Sequence, residues 1–103
     1  MIIIFEPQCR GFEHEQFNAG FLYGYSLAYS NDKIVFFAEK NHIDCVKNVF
    51  TSANLSLKKI QFVDIEIPAI NSLAKFRVIF AYYRMLKKLL CYAYENRCNR
   101  IVF

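Results

Sequence analysis

The sequence has no tryptophan and, among 103 residues, only 3 glycines and 2 prolines. That scarcity excludes collagen-like and low-complexity chains, which are dominated by those two residues. No apolar run approaches the roughly 18 residues that a membrane span needs. Met1–Phe5 is apolar at once, with no basic stretch before it and no small-residue cleavage site after it. A secretory leader is therefore not expected, and a reducing, cytoplasmic setting is. The four cysteines, Cys9, Cys45, Cys91 and Cys98, are separated by 36, 46 and 7 residues. Those spacings match no CxxC zinc or redox pattern, so the thiols read as small core residues, with no metal and no cofactor implied. Neither GxGxxG nor GxxxxGK[ST] occurs. Glu39 ends a strand where a ribose-binding acid would stand, but without the glycines a dinucleotide enzyme or P-loop hydrolase is disfavoured.

What is present is apolar side chain. Hydrophobic residues make up 55% and aromatics 17%, with 11 Phe and 7 Tyr, against roughly 45–50% apolar in an average globular chain. Disorder is excluded, and one domain is the most that 103 residues hold. A domain this short hides only about 60–70% of its unfolded surface. The excess grease therefore asks for a partner, a membrane or further chain. Charge is uneven: residues 1–57 hold four basic and six acidic side chains, a sum of −2, and residues 58–103 hold nine and three, a sum of +6. Such a split marks either an anionic partner or a solvated helix face.

Met1–Phe5 and Ile34–Ala38 are continuous β-branched and aromatic runs, the pattern of strands buried on both faces of a parallel sheet. Residues 59–67 alternate polar and apolar, as an edge strand does, and Pro68 ends them. Residues 100–103 start a fourth strand. Between the strands, periodicity predicts helices over 13–29, 41–53 and 69–97. In the first, Phe17, Phe21, Gly24, Tyr25 and Ala28 share a face, and Gly20 and Gly24 suit close backbone approach to the sheet. Asn41, with Asp44 three residues on, reads as the N-cap of the second. In the third, Arg77, Arg84, Lys88 and Glu95 fall within about 40° on a helical wheel. Apolar residues occupy roughly two-thirds of the circumference, interrupted by Lys87, where packing on one sheet face needs only about 100°. This helix asks for contact on more than one side. The alternating order predicts an α/β fold: a mostly parallel four-stranded sheet, order 3-2-1-4, with three helices, half of a doubly wound Rossmann-like domain. Residues 1–103 form either one such domain or the truncated N-terminal part of a larger one.

In such sheets ligands bind beyond the strand carboxyl ends, where the strand order reverses. That places the loop after the first strand, residues 6–13, at the candidate site, with the loop after the fourth strand missing. Gly11-Phe12-Glu13-His14 opens a helix whose N–H groups suit an anion or a sugar hydroxyl. His14 is the candidate general base, the alternative being an exposed first-turn residue. His42 reads as a surface residue of the second helix. Asp64 and Glu66 share the solvent side of the edge strand, and Cys9 is a loop thiol with nothing nearby to depress its pKa. On the third helix, Arg77, Arg84, Lys87 and Lys88 beside Phe and Tyr suit a membrane surface or a partner. Nucleic acid is the less favoured partner.

An apolar first strand, a glycine loop followed by Phe12-Glu13-His14, and a helix carrying Asn18 and Leu22 resemble the start of GT-B-type glycosyltransferases. The resemblance spans about the first 68 residues, and Arg10-Gly11 stands where that family often has two glycines. It implies an acceptor-side fragment of a sugar transferase, with Gly11, Phe12 and Glu13 binding acceptor and His14 as base. Nucleotide-sugar and glycan would be substrates of the full-length protein, without a metal, at the inner face of a membrane. The fragment alone would be inactive. The competing reading is a small non-enzymatic α/β module that dimerises or binds a partner through residues 76–94.

Overall fold

Runs of Ile, Val and Phe cannot be exposed on either face, so they settle at the centre of a sheet covered on both sides. The computed structural model, which describes residues 1–67 and 75–103, shows this arrangement. Strand β1 (Ile2–Phe5) and strand β2 (Ile34–Ala38) are buried at every position. They are flanked by β3 (Ile60–Asp64) and β4 (Arg100–Val102), and all pairings are parallel, in the order β3-β2-β1-β4. Ile2 stands opposite Ile34 and Arg100, and Ile34 opposite Ile60. The helices are α1 (Glu15–Ala28), α2 (Lys40–Ser52) and α3 (Lys75–Glu95). The expected α/β architecture and strand order are therefore present. The expected helix start at Ala69 and the strand stop at Pro68 lie outside the described residues.

Alternation of side chains along each strand divides the core in two. Ile2, Ile4, Ile34 and Phe36 meet Leu22 of α1 and Val46 and Phe50 of α2. Ile3, Phe5, Val35 and Phe37 meet Met85 and Leu89 of α3 alone. Two helices thus share one face of the sheet and a single helix covers the other. At about 1.5 Å per residue α3 runs about 31 Å, roughly twice the length of strands of four or five residues. Its C-terminal half lies on the sheet: Tyr92 meets Phe37 edge-on at 5.0 Å between ring centres, and Lys88 Nζ donates to the carbonyl of Asp64, the last residue of β3, at 2.7 Å. None of Phe76–Arg84 is buried, and this first half projects past the carboxyl ends of the strands.

The packing face of α1 differs from the expected one. Asn18, Ala19, Leu22 and Ser26 are buried, whereas Phe17 is 71% exposed and Phe21 also reaches solvent. Small side chains let the helix sit close to the sheet, and the larger rings line its flank as a ladder: Phe17–Phe21 at 6.3 Å, Phe21–Tyr25 at 4.8 Å and Tyr25–Tyr29 at 5.4 Å. Arg100 of β4 closes the ladder by stacking on Tyr29 at 5.1 Å and donating to its hydroxyl at 2.6 Å. Gly20 and Gly24 are not points of close approach, since a Cβ at either would meet nothing within 4 Å.

Both glycines are therefore only a cost in helix propensity. Gly20→Ala and Gly24→Ala are each expected to raise the unfolding free energy by about 1 kcal/mol, read by urea denaturation. Leu22→Ala, which opens a cavity against the sheet, is expected to lower it by about 2–5 kcal/mol. A loss of stability in either glycine variant would contradict the open surroundings described for α1.

Candidate functional site

Strands β1, β2 and β3 all end on the same side of the molecule, and the loop after β1 meets the start of α2 there. Strand β2 passes into α2 with Glu39 as the only residue between them, so Glu39, not Asn41, is the N-cap. One of its carboxylate oxygens accepts from the N–H of His42 at 2.7 Å and from that of Gly11 at 3.2 Å. Burial alone would push the Glu39 carboxyl up, but the N–H groups of His42, Gly11 and Asn41 outweigh it and hold the pKa below the ordinary glutamate range.

His42 is fully buried, not on the surface as its position in a first turn implied. Its Nδ1 donates to the carbonyl of Gly11 at 2.7 Å, and its Nε2 accepts from the Asn18 side-chain amide at 2.8 Å. A backbone carbonyl can only accept, which fixes the Nδ1–H tautomer. One imidazole thus joins the loop after β1, the first turns of α1 and the start of α2. Gly11 takes a left-handed conformation, with φ +52°, that lets its N–H and C=O reach Glu39 and His42 at once.

Other N–H groups of the loop are also capped from within. Glu6 accepts from Gln8 at 2.9 Å and Cys9 at 3.2 Å, and Glu13 accepts from Arg10 at 3.4 Å. Three carboxylates thus occupy the N–H groups of residues 8–11. The backbone of Gly11 is spent on the protein itself. Phe12 and Glu13 are exposed, as is His14, which sits in a left-handed conformation at the N-cap of α1 with no side-chain cap bond. Its carbonyl accepts from Asn18 at 2.9 Å. Cys9 is buried; burial, then the charge of Glu6, push its thiol pKa up, against a lowering bond from Asn18. The loop thiol is therefore held in its unreactive protonated form.

The overhanging half of α3 makes a second feature, a cleft of about 710 Å³ between the helix and the ends of β2 and β3. Arg84 and Lys88 of α3 line one wall, and Glu39, Lys40, Asp64 and Glu66 line the other. The basic residues of α3 therefore divide. Arg84 and Lys88 face this cleft, Arg77 lies along the same helical arc, and Lys87 is exposed among apolar neighbours. Among the described residues no cluster of three His, Cys, Asp or Glu side chains is placed to hold a metal ion, and no helix is long and apolar enough to cross a membrane. The structure brings Gly11 together with Glu39, His42 and Asn18. Sequence reasoning missed that His42 meets Asn18 and Gly11, because these contacts span 24 and 31 residues and leave no local signal.

Replacing His42 with Phe is expected to cost about 1–3 kcal/mol for each polar group it strands, Gly11 C=O and the Asn18 amide, and to speed amide exchange in residues 9–14. A carboxyl whose pKa is lower in the folded than in the unfolded chain stabilises fully above the ordinary glutamate pKa, and that contribution is lost as pH falls through the depressed folded value. Glu39→Gln is accordingly expected to flatten the acid limb of the stability–pH profile below about pH 4.3. An acid limb unchanged by the substitution would show that the Glu39 contacts do not contribute. No family model matches the chain, and neither a curated protein nor a solved structure does.

Proposed function

We propose that this domain is a protein-interaction module and that α3 carries its contact surface. The observation that supports the reading is a second apolar stripe on α3, separate from the one that covers the sheet. Met85 and Leu89 point into the core, Arg84 and Lys88 face the cleft, and the opposite flank exposes Phe76, Ile79, Phe80, Tyr83, Leu86, Leu90 and Tyr94. Phe76 is 79% exposed, Tyr83 63% and Leu90 60%. Single exposed apolar residues are ordinary, but a contiguous stripe of this length on a monomer marks a contact site. The loop after β1 weighs in the same direction, because the N–H groups of residues 8–11 are already bonded to carboxylates of the chain.

The glycosyltransferase reading rests on a different observation: the order β3-β2-β1-β4 reverses between β1 and β4, beside the loop after β1, whereas the cleft at the ends of β2 and β3 is lined by none of Gly11, Phe12, Glu13 and His14. On that reading Gly11, Phe12, Glu13 and His14 meet a sugar acceptor, and the internal hydrogen bonds of Gly11 leave the work to the side chains of Phe12, Glu13 and His14.

The two stripes of α3 give opposite expectations. Leu86→Glu with Leu90→Glu is expected to change the unfolding free energy of the isolated domain by no more than about 0.5 kcal/mol per site, as at other surface positions. The double variant is expected to abolish self-association and the binding of a hydrophobic dye. Leu89→Ala, one residue away, is expected to cost about 2–5 kcal/mol. Equal destabilisation by the two kinds of substitution would assign the outer stripe to the fold and sink the interaction reading.

A further inference from the structure

Phe76, Ile79, Tyr83, Leu86 and Leu90 recur at steps of three, four, three and four residues. That is the repeat of a seam that packs against another helix in a left-handed pair, knobs into holes. All five are exposed. The core-facing residues Met85 and Leu89 belong to a different line on the same helix, so among the described residues the seam packs against no part of the core.

We infer that the occupant is α3 of a second copy, running antiparallel about a two-fold axis at Tyr83; the inference rests on the interaction reading and specifies its partner. The stripe Phe76, Ile79, Phe80, Tyr83, Leu86, Lys87 and Leu90 is symmetric about Tyr83, with members three, four and seven residues to either side. With the axis there, Phe76 meets Leu90 of the second copy, Phe80 meets Leu86, and Tyr83 meets its own counterpart in an offset aromatic pair. A large ring faces a smaller aliphatic chain at each end, the alternation that fills space well. Lys87, the one charge on the stripe, lies opposite Ile79 of the second copy with Phe80 next to it, so its stem meets apolar surface and its ammonium a ring face rather than a like charge. Arg77 and Arg84 lie on the outer arc, and Lys88 is held at the Asp64 carbonyl, so no basic residue of one copy meets a basic residue of the other. Antiparallel helix dipoles add to the preference.

Shape agrees with the register. Because the first half of α3 projects past the strand ends, the two sheets extend in opposite directions from the axis and do not collide. Each copy's overhang, which lacks a sheet beneath it, is covered by the second half of the other copy's helix. The exposed fractions of the seam and its neighbours correspond to about 700 Å² per copy, taking roughly 150–250 Å² for each aromatic side chain, against the roughly 800 Å² per partner of a standard stable interface.

The test uses the full chain. Sedimentation over a range of concentrations is expected to show a monomer–dimer equilibrium, weakened on the order of 100-fold by Leu86→Glu, as for a central contact of an interface. In a background with Cys45, Cys91 and Cys98 changed to Ser, oxidation of Tyr83→Cys is expected to give a covalent dimer, because that position faces itself across the axis. Leu90→Cys alone is expected to give none, whereas mixing Leu90→Cys with Phe76→Cys is expected to give a crossed dimer. Self-linkage of Leu90→Cys as fast as that of Tyr83→Cys would overturn the antiparallel register. A wild-type chain that stays monomeric overturns the second copy as occupant: if it binds hydrophobic dye, and loses that binding on Leu86→Glu, the interaction reading survives with another protein as partner. Binding of the monomer to phosphatidylserine vesicles would transfer the stripe to a membrane surface, and a monomer that binds neither dye nor vesicles sinks both readings.

Discussion

One constraint organises the molecule: β1 and β2 are apolar on both faces, and the two faces are covered unequally. On one side α1 and α2 share the load, with Leu22, Val46 and Phe50 filling the space above Ile2, Ile4, Ile34 and Phe36. On the other side α3 works alone through Met85 and Leu89, aided by Tyr82 and Tyr92. A single helix on a four-stranded sheet has one flank toward β3 and one toward β4. The β3 flank is polar and builds a cleft with Asp64 and Glu66. The opposite flank is apolar and exposed among the described residues. The exposed apolar stripe is thus a consequence of how the sheet is covered: the same helix that closes the core through Met85 and Leu89 leaves its other side exposed.

At the carboxyl ends of the strands the chemistry runs inward. Glu39 and His42, three residues apart at the start of α2, pin the loop after β1 through the two polar groups of Gly11, while Asn18 completes the imidazole's bonding. A buried polar group is costly without a partner, and every one of these has one. A site where ligands commonly enter this class of sheet has become a clamp that holds α1 to α2. Glu6 and Glu13 cap other loop amides in the same manner. The clamp also explains why α1 turns a face containing Asn18 toward the sheet: the amide must reach His42.

Strand identity and order were legible because uninterrupted β-branched runs admit few placements, and right-handed crossovers leave one economical order. The α1 face was misread because two apolar lines run along that helix. Phe17, Phe21 and Tyr25 carry far more apolar surface than Ala19 and Leu22, yet the rings stack along the flank and end on Arg100. His42 was invisible for a different reason: its partners lie 31 and 24 residues away in sequence, so no local pattern announces them. In α3 the opposite held. A wheel two-thirds apolar already asked for two contacts, and the structure assigns residues to each: Met85 and Leu89 to the core, Ile79, Tyr83, Leu86 and Leu90 to the outside.

The claim on which these relations converge is that the outer stripe of α3 is an interface and not surplus hydrophobic surface. Amide hydrogen exchange of α3, measured as a function of protein concentration, addresses it directly. Protection over residues 76–90 that rises with concentration, while α1 and α2 stay unchanged, is the predicted result, because the overhanging half of α3 gains its covering layer only on association. Exchange in α3 that is independent of concentration, and as slow over 76–84 as over 85–93, would contradict it.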